Sequence, residues 1–123
     1  MMVTARAPLP DAEAWRDPNV VKVVTDDSGH ALYFSRAPIP WPRDAVTQPV
    51  GAWRHLGVYG FQREALLRFA AEKPAPLELV ERLEQLRALH LGWRVRLVDA
   101  ADAGFGVDTP EDLARFRRIV EGA

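Results

Sequence analysis

The chain has 123 residues, 48% hydrophobic and 27% charged, enough for one domain or part of one with a real core. Lys+Arg 16 against Asp+Glu 17 gives a net charge of −1 with no basic block, which leaves nucleic-acid binding without electrostatic support. The absence of cysteine excludes disulfides, thiolate metal sites and a cysteine nucleophile. No apolar run reaches the roughly 18 to 20 residues of a membrane helix, and the first ten residues lack the apolar centre of a signal peptide. The expectation is a soluble cytoplasmic protein with no nucleic-acid or membrane partner.

Residues 1–19 hold three prolines and little periodicity, and read as an extended arm. Val20 to Thr25 is a β-branched run and a predicted strand. Asp26-Asp-Ser-Gly29 is turn chemistry, because Gly supplies positive φ and Asp or Ser bonds the backbone. His30 to Ser35 is the returning strand of a hairpin. Ala37 to Pro42 carries three prolines in six residues and reads as a stiff loop that continues to residue 52. Trp53 to Phe61 is the next predicted strand, and Arg63 to Glu72 a short helix. Pro76 opens a helix predicted to run unbroken to residue 91, stopped by Gly92. Val95 to Val98 is a short strand. Thr109-Pro-Glu-Asp112 then opens a last helix to about Val120, with a cap, a proline at the first helical position and acids at the positive end of the dipole. A hairpin that precedes helical units implies an α/β fold with a mixed sheet and flanking helices.

Several residues stand out as candidates for chemistry. In a helix over 76–91, Glu84 falls on a stripe with Leu77, Val80, Ala88 and Leu91. A carboxylate there is costly unless paired or wet. It either sits at the edge of a helix that is apolar on two sides, or lines a polar pocket and accepts bonds from a hydroxylated ligand. His55 and Tyr59 project the same way from one strand with Gly57 between them. They form either part of an aromatic core face or a wall that a ligand approaches closely. Arg36, at a strand end, is either solvated or a partner for a ligand carboxylate. Asp108, between a strand and a capped helix, is either turn chemistry or an oxygen ligand for a hard metal. No Walker-type phosphate loop, His-Glu-x-x-His or Gly-x-Ser-x-Gly motif occurs.

Four segments share a further property. Ala31–Arg36 (ALYFSR), His55–Gly60 (HLGVYG), Pro76–Arg87 (PLELVERLEQLR) and Gly106–Leu113 (GVDTPEDL), with Asp17–Val24 (DPNVVKVV) as a fifth stretch, resemble in order and spacing the carboxy-terminal half of the 3-deoxy-manno-octulosonate cytidylyltransferases, the CMP-Kdo synthetases. The resemblance implies the second half of a Rossmann-like nucleotide-sugar transferase fold, with residues 20–123 as its sugar-binding and dimerisation part and the nucleotide-binding half absent. It implies transfer of CMP from CTP to the acidic sugar Kdo for lipopolysaccharide biosynthesis, with magnesium as cofactor and a homodimer as assembly. By motif, Arg36, His55, Tyr59, Glu84 and Gln85 match residues of the Kdo site, and Asp108 matches a magnesium carboxylate. The family's glycine- and arginine-rich nucleotide loop has no counterpart here, so the chain is expected to be inactive alone. The alternatives are a non-catalytic dimerisation or interaction fragment, and a transferase acting on a related acidic sugar.

Overall fold

Part of the segment expected as an arm forms an interior strand of the sheet. A computed structural model describes residues 2–44, 51–101 and 109–121. Met2–Pro8 is strand β1, and Ala12–Arg16 is helix α1. The sheet order is β3-β2-β4-β1-β5, with β2 at Lys22–Thr25, β3 at Ala31–Ser35, β4 at Trp53–Phe61 and β5 at Val95–Asp99. β1 runs parallel to β5 and antiparallel to β4, so the sheet is mixed, as predicted. The arm reading fails because β1 has neighbours on both edges. Its buried positions are Met2, Thr4, Ala5 and Ala7, of which the two alanines have weak strand propensity and suit a crowded interior. Pro8 is tolerated because it is the last residue of the strand.

The hairpin forms as its turn chemistry dictates. The Asp26 carboxylate accepts from Ser28 N and His30 N, both at 2.9 Å, and Gly29 takes φ +80°. The Asp11 side chain caps α1 by accepting from Ala14 N at 2.8 Å. Two clusters hold the molecule together. One joins Met2, Val23, Phe34, Leu83, Leu86, Val95 and Leu97 across the sheet and the helical segment. The other closes around Trp15, which is fully buried with Leu9 and Ala52.

Helix α2 spans Arg63–Ala71. The helix predicted over 76–91 is two helices, α3 at Pro76–Glu81 and α4 at Leu86–His90. Between them Arg82 adopts a left-handed conformation, φ 55° and ψ 50°. An ion pair spans the break. Arg87 grips Glu78 through two bonds, Nε to Oε1 at 2.9 Å and Nη2 to Oε2 at 2.7 Å. Nine residues of unbroken helix would set these groups roughly 13 Å apart along the axis. The pair therefore forms only because the chain folds back at 82–85. The apolar stripe expected around Glu84 is not formed: Leu77 is 47% and Val80 79% exposed. The last helix, α5, spans Pro110–Glu121. Among the described residues no helix is long and apolar enough to cross a membrane.

Candidate functional site

β2 pairs with β4 only through Lys22 and Val23 against Arg54 and Trp53, followed by His55 N donating to Val21 O at 2.8 Å. Past that point the free edge of β4 faces the 82–85 turn, and a cleft of about 1100 Å³ opens between them. Arg36, His55, Tyr59, Glu84 and Gln85 all line this cleft. Residues from a strand end, a strand and a helix–helix turn are thus brought together. A second hollow of about 540 Å³ beside Trp93 holds none of the predicted residues.

The β4 wall is shaped by a bulge. Thr4 pairs with Tyr59 and Ala5 with Leu56, so Gly57 and Val58 are extra on β4. Two extra residues preserve strand parity, which keeps His55 and Tyr59 on one face with ring centroids 5.7 Å apart. His55 also packs edge-on against Phe34 at 4.8 Å, so it belongs both to the core and to the cleft. Among the described residues nothing lies within 4 Å of a Cβ built on Gly57. The close approach to backbone expected there has the space it requires.

The floor of the cleft is a run of hydrogen bonds. Tyr59 Oη donates to Gln85 Oε1 at 3.2 Å, and Gln85 Nε2 donates to His55 Nδ1 at 3.4 Å. On the other side His55 Nε2 lies 2.8 Å from Thr4 Oγ1. Burial holds His55 down to about 4, so it is neutral at physiological pH. Burial first, and then the Glu84 charge, push the Tyr59 hydroxyl up. Glu84 is exposed on the turn rather than on a helix stripe. It is in the cleft for a different reason than the one its spacing suggested.

The rim is cationic. Arg36 is held by three backbone carbonyls: Glu81 O at 2.7 Å, Pro18 O at 2.9 Å and Arg82 O at 3.3 Å. These dipoles fix the guanidinium without cancelling its charge. Two of its five N–H groups stay unassigned. Arg54 and Arg82 also line the cleft, and among the described residues neither they nor Arg36 has a carboxylate within ion-pair distance. Sequence reasoning missed both. Arg54 alternates away from His55 along the strand, and Arg82 was placed inside a helix. The Glu78 carboxylate in the cleft wall is already neutralised by Arg87, whose hydrogen bonds are the first reason that it stays below the usual carboxylate range. A ligand with a carboxylate and several hydroxyls suits this combination of a charged rim and a neutral, hydrogen-bonding floor.

Asp108 lies outside the described residues. Among the described residues no group of three or more His, Cys, Asp or Glu side chains could hold a metal ion.

A cytidylyltransferase family model matches residues 1–95. The chain is 49% identical over 128 residues to the 3-deoxy-manno-octulosonate cytidylyltransferase of Syntrophotalea carbinolica, covering 98% of this chain and 51% of that protein. It is 46% identical over 123 residues to the protein of the same name from Solibacter usitatus, covering 100% and 48% respectively. A solved structure of CMP:2-keto-3-deoxy-manno-octonic acid synthetase complexed with CTP superposes with a TM-score of 0.85 at 35% identity, over 98% of this chain and 49% of that one. The chain spans about half the length of the curated relatives it matches.

Proposed function

The chain belongs to the cytidylyltransferase family, and we propose that it carries the sugar-binding, carboxy-terminal portion of an enzyme that forms CMP-Kdo and pyrophosphate from CTP and Kdo. The observation that carries this reading is the convergence of Arg36, His55, Tyr59, Glu84 and Gln85 on one cleft whose rim guanidiniums lack carboxylate partners among the described residues. In this reading the two unassigned N–H groups of Arg36 take the sugar carboxylate, with Arg54 and Arg82 adding positive potential. Tyr59 and Glu84 accept hydrogens from sugar hydroxyls. Holding the sugar rigidly contributes by orienting the attacking hydroxyl towards the α-phosphorus of CTP, the positioning on which phosphoryl chemistry chiefly depends. A magnesium ion, when bound, would neutralise charge developing on the phosphates. Asp108 is proposed as one of its oxygen donors. The enzyme is proposed to be a cytoplasmic homodimer serving lipopolysaccharide assembly.

A second reading, a non-catalytic interaction module, draws on α3, where Leu77, Leu79 and Val80 are all exposed. A third keeps the chemistry but exchanges Kdo for a related acidic sugar, which the same rim and floor would accept. Pyrophosphate release measured with CTP, Kdo and magnesium separates the claims. The chain alone is expected to release none, because its sequence holds no nucleotide-cradling loop. Turnover that disappears in Asp108→Ala would show a complete site here and overturn the partial-enzyme reading.

A further inference from the structure

Thr4 is not among the cleft-lining residues, yet it touches the buried end of the hydrogen-bond run. Its Oγ1 lies 2.8 Å from His55 Nε2, 2.8 Å from Val58 O and 3.1 Å from Leu56 O. It plugs the bulge of β4 from the neighbouring strand, and it is buried.

The run from Tyr59 through Gln85 to His55 has two self-consistent directions. In one, the Tyr59 hydroxyl donates to Gln85, the Gln85 amide donates to His55 Nδ1, and His55 carries its proton on Nε2 towards Thr4. In the other, the Gln85 amide is turned over and every bond is reversed: Thr4 donates to Nε2, Nδ1–H donates to the Gln85 oxygen, and the Gln85 amide donates to the Tyr59 oxygen. A neutral histidine supports either, because each has one donor and one acceptor nitrogen. Thr4 breaks the tie. It has a single hydrogen and faces two carbonyl oxygens that can only accept. If that hydrogen went to His55, the hydroxyl oxygen would face two carbonyl oxygens at 2.8 and 3.1 Å with no proton between them. With the hydrogen on Val58 O or Leu56 O, a lone pair is left for His55 Nε2–H.

We infer that Thr4 is a positioning residue that fixes the direction of the Tyr59–Gln85–His55 run, so that the Tyr59 hydroxyl hydrogen points inward and Tyr59 offers the cleft only an acceptor. The consequence is a selectivity rule. A ligand group that meets Tyr59 must bring a hydrogen, as a sugar hydroxyl does, and a carboxylate is turned away to the arginines of the rim. Only the identity of the ligand rests on the sugar-site reading above; the direction of the run does not.

The test is nitrogen-15 NMR of the imidazole in the full chain, in a His30→Gln/His90→Gln background that leaves His55 as the only histidine. The native run predicts protonation on Nε2, with Nδ1 unprotonated. Thr4→Ser retains the hydroxyl and is expected to keep that tautomer. Thr4→Val removes it, leaves Nε2–H facing a methyl group, and is expected to move His55 to a population dominated by Nδ1–H. Protonation of Nδ1 in the native chain overturns the inference whether or not the valine variant folds, as does an unchanged Nε2–H tautomer in a folded Thr4→Val chain. No ligand enters the experiment, so its outcome is separate from that of the sugar-site reading.

Discussion

The floor and the rim of the cleft are built on opposite principles. The floor groups Thr4, His55, Gln85 and Tyr59 are neutral, largely buried and bonded to one another. The rim groups Arg36, Arg54 and Arg82 are cationic and open to the cleft, and Arg36 is steadied by carbonyl dipoles rather than by a counter-ion. The floor is directional: the hydrogens of the run point one way along it, as inferred above. The rim is electrostatic, acts at longer range and is weakened by salt. A site built this way separates two tasks. In the proposed function, charge draws an acid in, and geometry selects which hydroxylated acid stays.

The largest expected effect removes the support that both halves share. The Glu78–Arg87 pair is shielded, with side chains 10% and 15% exposed, and it spans the 82–85 turn beside the cleft. Arg87→Met leaves the Glu78 carboxylate unpaired, and a loss of about 3 kcal/mol is expected in urea unfolding. A change below about 1 kcal/mol would mean that the turn is held by something else.

Next is the rim. Arg36→Ala is expected to weaken Kdo binding about 100-fold, consistent with losing charge-assisted bonds worth about 1.5–3 kcal/mol each. Arg82→Gly is expected to weaken it less and to leave stability unchanged or slightly higher, since glycine suits φ 55°. Both variants should flatten the salt dependence of the affinity. A rim substitution that lowers affinity equally at all salt concentrations would erase the distinction between rim and floor.

The floor gives a pH signature. His55 is held down to about 4 by burial, below its unfolded value near 6.5. Between those two values the unfolded chain binds a proton that the folded chain does not, so stability rises with pH across this window. Equivalently, it is lost on acidification from about 6.5 towards 4, by up to about 1.4 kcal/mol per pH unit. Thermal unfolding of His55→Gln against the native chain over pH 4–7 checks this, and the variant should show the shallower slope. The smallest effect belongs to Tyr59→Phe. It removes one neutral acceptor, and about a fivefold loss of Kdo affinity is expected, with the salt dependence intact.

Much of this was legible in the sequence where local rules govern. The Asp26 to Gly29 turn, the β4 strand and the parity of His55 with Tyr59 follow from side-chain chemistry within a few residues. β1 was not legible, because alanines between two strands look like a loop when prolines flank them. The break at Arg82 was not legible either, because the ion pair that spans it is brought together only by the folded chain. Glu84 shows the cost of that miss: its position in the cleft comes from the turn, whereas the stripe that drew attention to it does not exist. Thr4 left no signal at all, since its importance depends on two carbonyls more than fifty residues away.

The most direct measurement is calorimetric titration of Kdo into the purified chain at low and physiological salt. The account predicts saturable binding to one site, weakened by salt, abolished or nearly so in Arg36→Ala and retained in Arg68→Ala beside the second hollow. A folded chain that takes up no Kdo, or one whose binding survives Arg36→Ala and fails in Arg68→Ala, would contradict it.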